Sequence, residues 1–149
     1  MFDSYDYEVS VLWKHGRVGE LSSPNLDYAV TCATPPEFEG GVPGIWSPEH
    51  LFVAAVNSCL MTTFLAIAQH SRLEFEGFTS HAKGRLSREN GKFQMTEIIL
   101  SPELSLPPQE NPEKARKVLE KARKACLISN SILTRVFMEP RIFVKEFQP

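Results

Sequence analysis

Residues 47–70 constrain this chain most: they open Ser-Pro-Glu-His and carry no charged side chain from position 51 to position 69. The opening reads as a helix start. Ser47 can cap free amides, Pro48 suits the first helical position, and Glu49 sits at the positive end of the helix dipole. The run beyond is rich in Ala, Leu, Phe and Met, with a polar set near its centre: Asn57, Ser58, Cys59, Thr62 and Thr63. A helix apolar all round has to be buried, either in a core or in a membrane. About 20 apolar residues suffice to span a bilayer, so length permits that. The polar centre and the isolation of the segment point instead to a protein core.

The rest of the chain has to supply that core. With 149 residues, a single domain over 1–149 is expected, long enough to bury a core of its own. A net charge of -2 leaves no electrostatic footprint for nucleic acid or an anionic membrane, and neither partner is expected. The first residues, Met-Phe-Asp-Ser-Tyr-Asp-Tyr-Glu, lack the basic and apolar regions of a signal peptide, so a cytoplasmic protein is expected. The cysteines are Cys32, Cys59 and Cys126, an odd and sparse set that argues against a disulfide framework. There is no CxxC and no zinc-ligand spacing, and His15, His50, His70 and His81 are scattered. No metal and no cofactor are expected.

Before the long helix, residues 5–13 alternate Tyr5, Tyr7, Val9, Val11 and Trp13 against Asp6, Glu8 and Ser10, the pattern of a strand with one buried face. Residues 14–19 read as a tight connection or bulged hairpin. Alternation over 26–34 puts Leu26, Tyr28, Val30 and Cys32 on one core-directed face. Residues 35–46 form a Pro- and Gly-rich loop, of the kind that borders functional sites.

After the helix, residues 73–87 are β-like, with Gly77 a candidate bulge. Asn90-Gly91 signals a hairpin, and residues 93–100 return as its second strand. The prolines of 101–111 predict an extended or irregular segment. Asn111-Pro112-Glu113 repeats the cap, proline, acid grammar and starts an amphipathic helix. Its apolar face carries Ala115, Val118, Leu119, Ala122, Ala125 and Cys126; its lysines and arginines read as a solvated face. Ser129-Asn130-Ser131 breaks this helix and can cap a short one reaching residue 137. Pro140 then precedes a last strand over 141–147. Strands, central helix, strands, helix, strand is an α+β order.

Three segments now combine: Gly16-Arg17-Val18-Gly19; Ser47-Pro48-Glu49-His50-Leu51-Phe52-Val53-Ala54-Ala55 with Cys59 behind it; and Ala125-Cys126-Leu127-Ile128-Ser129-Asn130. Together they resemble the OsmC/Ohr family, the osmotically induced protein C and organic hydroperoxide resistance proteins. The likeness covers nearly the whole chain. It is most specific over 48–59, where the family typically reads Asn-Pro-Glu-x-Leu, an Ala-rich segment and Cys. Here Ser47 replaces the usual Asn, and Leu127 replaces the Pro that commonly follows the second Cys. The resemblance implies an OsmC-like fold, with antiparallel sheets wrapped around long central helices in an intertwined homodimer. It also implies thiol-dependent reduction of organic hydroperoxides. By motif, Cys59 resembles the peroxidatic cysteine, Cys126 the resolving cysteine, Glu49 the active-site glutamate, and Arg17 the arginine that partners the thiolate.

That chemistry needs a thiolate. Burial alone raises a thiol's pKa, and a mid-helix thiol gains little from the helix terminus, so a cation must come from elsewhere. Arg17 is the motif-matched cation, and Glu49 could orient it through a bidentate pair. Ten residues along one helix rise about 15 Å, so Glu49 would approach Cys59 only from an antiparallel second copy. In the implied cycle, Cys59 becomes a sulfenic acid, Cys126 resolves it to a disulfide, and an external dithiol, lipoyl-type among the candidates, reduces it. Trp46, Phe52, Met61 and Phe64 would line an apolar site for bulky peroxides, or serve as plain core. Two other readings stay open. One is a redox-inactive OsmC-like protein that binds a small molecule. The other is a thiol-regulatory or hydrolase-like protein with a covalent intermediate on Cys59. In either, Cys59 can be an inert core residue or a thiol used differently.

Overall fold

The computed structural model describes residues 3–147. The chain forms two compact units, one ending at Leu51 and one starting at Phe52. The first holds a three-stranded antiparallel sheet, in order β1 (Ser10–His15), β2 (Val18–Ser22), β3 (Val30–Ala33). The β1–β2 connection is the expected bulged hairpin. Gly16 adopts φ 52°, and the register shifts between Trp13 and His15. Beyond β3 the Pro/Gly loop folds back on the sheet: the Ala33 amide donates to the Trp46 carbonyl at 2.8 Å, and the Val42 amide to the Thr34 carbonyl at 2.9 Å. At Gly41 a Cβ would collide with the Pro35 carbonyl, so only glycine fits there.

Two expectations for this unit are corrected. Strand β1 begins at Ser10 rather than residue 5, and Tyr5, Tyr7, Val9, Val11 and Trp13 are all exposed. The strand lies at the sheet edge, and the alternating face is uncovered within the chain. In β3 the buried residue is Ala33, directly opposite the buried Val18 of β2. Leu26 and Tyr28 are exposed because the strand paired to β2 starts only at Val30, and Cys32 is only half-buried within it.

Helix α1 (Pro48–His70) starts as its sequence predicts. The Ser47 hydroxyl accepts from the His50 amide at 3.1 Å and lies 2.6 Å from His50 Nδ1, while the Ser47 carbonyl takes the Leu51 amide at 2.9 Å. The second unit contains the rest of α1, then β4 (Gly77–Glu89), β5 (Lys92–Leu106), α2 (Pro112–Ala125), a 3₁₀ turn (Ser129–Ser131), β6 (Arg135–Met138) and β7 (Arg141–Val144). Strands β4 and β5 make one long antiparallel hairpin around Asn90 (φ 53°) and Gly91 (φ 78°). Two successive residues with positive φ suit the type I′ turn that Asn-Gly favours.

Strand β5 extends well past the expected end at residue 100. Its far edge is shared by β6, paired in parallel with Glu97 through Leu100, and by β7, paired in parallel with Glu103 through Leu106. Pro102 falls in the gap between these two pairings, where a missing N–H breaks no ladder on that edge. That is why 101–106 is strand despite the proline. The bulge of this hairpin lies at Thr96 of β5, opposite Arg85 and Leu86, and Gly77 simply opens β4. The region after α2 forms only the 3₁₀ turn before β6, and the last strand ends at Val144.

The core joins α1, β5 and α2. Val56, Leu60, Phe64 and Ala68 recur every four residues on α1 and meet Ile98, Leu100, Leu104 and Leu106 of β5 and Ala115, Val118, Leu119 and Ala122 of α2. The period of four on the helix and of two on the strand place each set on one face. Asn111 caps α2, its Oδ1 accepting the Glu113 amide at 2.9 Å. Asn57 is bonded both ways to β4: its amide donates to the Ser80 carbonyl at 2.9 Å, and the Ser80 hydroxyl donates to Asn57 Oδ1 at 2.6 Å.

Length and composition would let α1 pass for a membrane span, but its polar centre is thus used to seat it on a sheet. Burial all round is not what the chain achieves: Ser58, Met61, Thr62, Leu65 and Ala66 face outward. One helix can press only one stripe on a single sheet, and the opposite apolar stripe is left uncovered.

The contact between α1 and β4 is close at Gly84, where a Cβ would collide with Val53 and come within 2.9 Å of Met95 Cε. Gly84→Ala is expected to destabilise the fold by about 1–3 kcal/mol through overpacking. A lowered urea midpoint with unchanged slope would show it; an unchanged midpoint would mean the helix can lift away freely.

Candidate active site

Two of the expected residues come together in the second unit. Cys59 lies on the buried side of α1, and Cys126 is the C-terminal cap of α2, with φ -63° and ψ 110°. Both thiols are free and buried, and each bears on the acidity of the other. One helical turn on from Cys59, the Thr63 hydroxyl lies 3.8 Å from its sulfur.

The extended conformation of Cys126 ends α2 abruptly and swings the next amides out of the helical ladder. The turn that carries them is held by its own bonds. The Asn130 amide donates to the Cys126 carbonyl at 3.0 Å, the Ser131 hydroxyl to the Leu127 carbonyl at 2.7 Å, and the Ser131 amide to the Ile128 carbonyl at 3.0 Å. Asn130 Nδ2 also satisfies the Lys124 carbonyl at the end of α2, at 3.0 Å.

The two thiols are driven apart in acidity. Burial pushes Cys59 up, but hydrogen bonds from the Cys126 thiol, the Ile128 amide, the Thr63 hydroxyl and the Leu127 amide together outweigh it and hold Cys59 below the ordinary thiol value. For Cys126, burial raises the pKa, and the hydrogen bond and negative charge of Cys59 raise it further. Ser129 opposes this through its amide and hydroxyl. That hydroxyl is buried and makes no well-formed hydrogen bond, so its pull is weak. Of the two thiols, Cys59 therefore ionises more readily and Cys126 keeps its proton to higher pH.

Arg17 and Glu49 belong to the first unit. Arg17 sits in the β1–β2 turn, exposed, its side chain lying across Gly40, where a Cβ would be 2.9 Å from the Arg17 Nε. Glu49 is half-buried in the first turn of α1. Among the described residues no ion pair joins them. The expected bidentate pair is therefore absent from the single chain, because Arg17 extends along the glycine loop. Phe64, expected as either lining or core, is core. It stacks on Phe78 at a centroid distance of 4.9 Å and meets Phe75 edge-on at 5.2 Å. Met61 and Trp46 are exposed. Among the described residues no cluster of His, Cys, Asp and Glu is arranged to hold a metal ion.

Sequence reasoning named Thr63 among the polar residues around Cys59 without making it a partner of the sulfur, although a residue four positions on lies beside Cys59 on any helix.

The family model described as OsmC-like protein matches residues 41–140. Among curated proteins, the uncharacterized protein YmaD of Bacillus subtilis is 28% identical over 131 residues, covering 86% of this chain and 85% of its own. An OsmC-like protein of unknown function from Vibrio cholerae is similar in structure, with TM-score 0.82, 26% identity, and coverage of 92% of this chain and 99% of that one. An organic hydroperoxide resistance protein from Elizabethkingia anophelis superposes with TM-score 0.75 at 23% identity, covering 97% of this chain and 100% of its own, a likeness of fold.

Proposed function

We propose that this chain, which belongs to the OsmC-like protein family, reduces organic hydroperoxides to alcohols with Cys59 as nucleophile and Cys126 as resolving thiol. The observation that carries the reading is the pair of buried free thiols whose acidities are shifted in opposite directions. A peroxidatic sulfur has to be an anion, and a resolving thiol serves best protonated until it is needed.

The cycle balances as follows. The Cys59 thiolate attacks the terminal peroxide oxygen, the O–O bond breaks, and the alkoxide takes a proton and leaves as an alcohol. Cys59, oxidised by two electrons, is then a sulfenic acid. The Cys126 sulfur attacks it; its proton and the departing hydroxide form water, and a Cys59–Cys126 disulfide results. An external dithiol, of lipoyl or similar type, reduces the disulfide by exchange. A hydroperoxide resistance protein among the structural neighbours supports the substrate class.

The uncovered stripe of α1, with Met61 and Leu65 at its centre, supports a homodimer in which a second copy covers it. Antiparallel α1 helices in such a dimer would carry Glu49 of one copy towards Cys59 of the other. Arg17 is proposed as the cation of that composite site.

The test is intact-mass analysis and peptide mapping after one equivalent of cumene hydroperoxide, with sedimentation of the same sample. The expected result is rapid loss of two hydrogens, a Cys59–Cys126 link within one chain, and a dimer. Peroxide that leaves both thiols reduced would sink the peroxidase and favour the redox-inactive binding protein. A fully active monomer would remove Glu49 of a second copy from the mechanism.

A further inference from the structure

We infer that Thr62 and Thr63 divide the two acceptors of Cys59 between them. The Thr62 hydroxyl takes the Cys59 carbonyl, which leaves the Thr63 hydroxyl for the sulfur and makes Thr63 a positioning residue for the nucleophile. The inference rests on Cys59 being the working nucleophile, and it adds how α1 itself holds that sulfur.

A hydroxyl inside a helix ordinarily turns back to a carbonyl three or four residues earlier. Ser58 does so to Ala55 at 3.3 Å, and Thr62 does so to Cys59 at 3.2 Å. For Thr63, the carbonyl four residues back is that same Cys59 carbonyl. It has two lone pairs. The helical ladder gives one to the Thr63 amide, and Thr62 holds the other. The Thr63 hydroxyl lies instead 3.8 Å from the Cys59 sulfur, a hydrogen-bonding distance for sulfur. Either atom can donate while Cys59 is a thiol. A thiolate has no hydrogen to give, so on ionisation the Thr63 hydroxyl becomes the donor.

Cys59 is buried at mid-helix, where the α1 dipole gives it nothing, so its charge depends on donors such as this one. Thr63 is half-buried one turn on, and a bond sheltered from water is electrostatically stronger than an exposed one. The same bond is among those that hold Cys59 below the ordinary thiol value.

The experiment measures alkylation of Cys59 by iodoacetamide against pH, with the site read by peptide mapping. Thr63→Val keeps the side-chain shape and loses the hydroxyl. It is expected to move the rise in rate to higher pH and to slow alkylation on the rising limb roughly tenfold, the scale of one lost hydrogen bond to a charged acceptor. Thr63→Ser, which restores the hydroxyl, is expected to recover most of the lost rate. Thr62→Val frees the Cys59 carbonyl to compete for the Thr63 hydroxyl, and should move the rise the same way by a smaller step.

Should the valine variant at 63 not fold, Thr63→Ala carries the same expectation, since alanine is the residue that helices favour most. A folded Thr63→Val or Thr63→Ala chain with the parent pH profile overturns the inference, and so does a serine variant shifted as far as the valine. A Thr62→Val chain with the parent profile overturns the division of acceptors. Alkylation uses no peroxide. An unshifted Thr63→Val profile beside intact peroxide turnover in the unaltered protein counts against the threonine alone. A shifted profile without turnover counts against the peroxidase alone.

Discussion

Replacing Cys59 with serine is expected to reduce consumption of organic hydroperoxide by on the order of 10³-fold or more, as removal of the nucleophile does in covalent mechanisms. A serine hydroxyl at that position has no route to an anion near neutral pH. Among the described residues, the side-chain hydrogen bond formed at Cys59 is to the Thr63 hydroxyl, which is no general base. Cys126→Ala should behave differently. The first oxidation survives, one equivalent of alcohol appears, and turnover then stops with Cys59 held as a sulfenic acid. The same variant loses the thiol that donates to Cys59, so its first step should need a higher pH.

The sign is fixed by the anion. A nucleophile held below its ordinary pKa is fully active from a lower pH, and each donor removed moves the rise upward. Cys32→Ser should leave all of this unchanged, since Cys32 is not among the groups that shift the acidity of either thiol. Full turnover by Cys59→Ser would end the assignment of Cys59 at once.

Phe64→Ala is expected to cost about 3–5 kcal/mol of folding stability. Phe64 is completely buried in the stripe that α1 presses against β5 and α2, and its ring packs on Phe75 and Phe78. Truncation removes the ring from both aromatic partners, and neither helix nor strand can close on the hole without breaking its own hydrogen bonds. Urea unfolding followed by circular dichroism is the measurement. A loss below about 1 kcal/mol would show that the site collapses freely and that the core is looser than its burial implies.

Much of this protein is legible in its residues. The cap, proline and acid before each helix predicted both helix starts, because those residues act on local backbone groups that need nothing distant. Asn90-Gly91 predicted its hairpin for the same reason. The period of α2 predicted its buried face apart from Ala125, which lies outside, one residue before the chain turns. Motif likeness picked out Cys59 and Cys126, which the fold buries and which shift each other's acidity. It also picked out Arg17 and Glu49, whose pairing is not formed in the single chain. A side chain's type is local, but its partner depends on where two distant segments, and a second copy, come to lie.

The errors have a common cause. Alternation over 5–13 and 26–34 is real, but alternation reports a face, and only neighbours decide whether that face is covered. Pro102 looked like a strand breaker because the gap between β6 and β7 that tolerates it is set some 35 residues further on. The sequence by itself determined where helices begin, where the long hairpin turns, and which thiols are candidates, since each rests on bonds within a few residues. Only the tertiary structure decided that Cys126 leaves its helix extended and that Cys59 and Cys126 shift each other's acidity. The two thiols stand on segments far apart in the chain, so no run of neighbouring residues could encode their pairing.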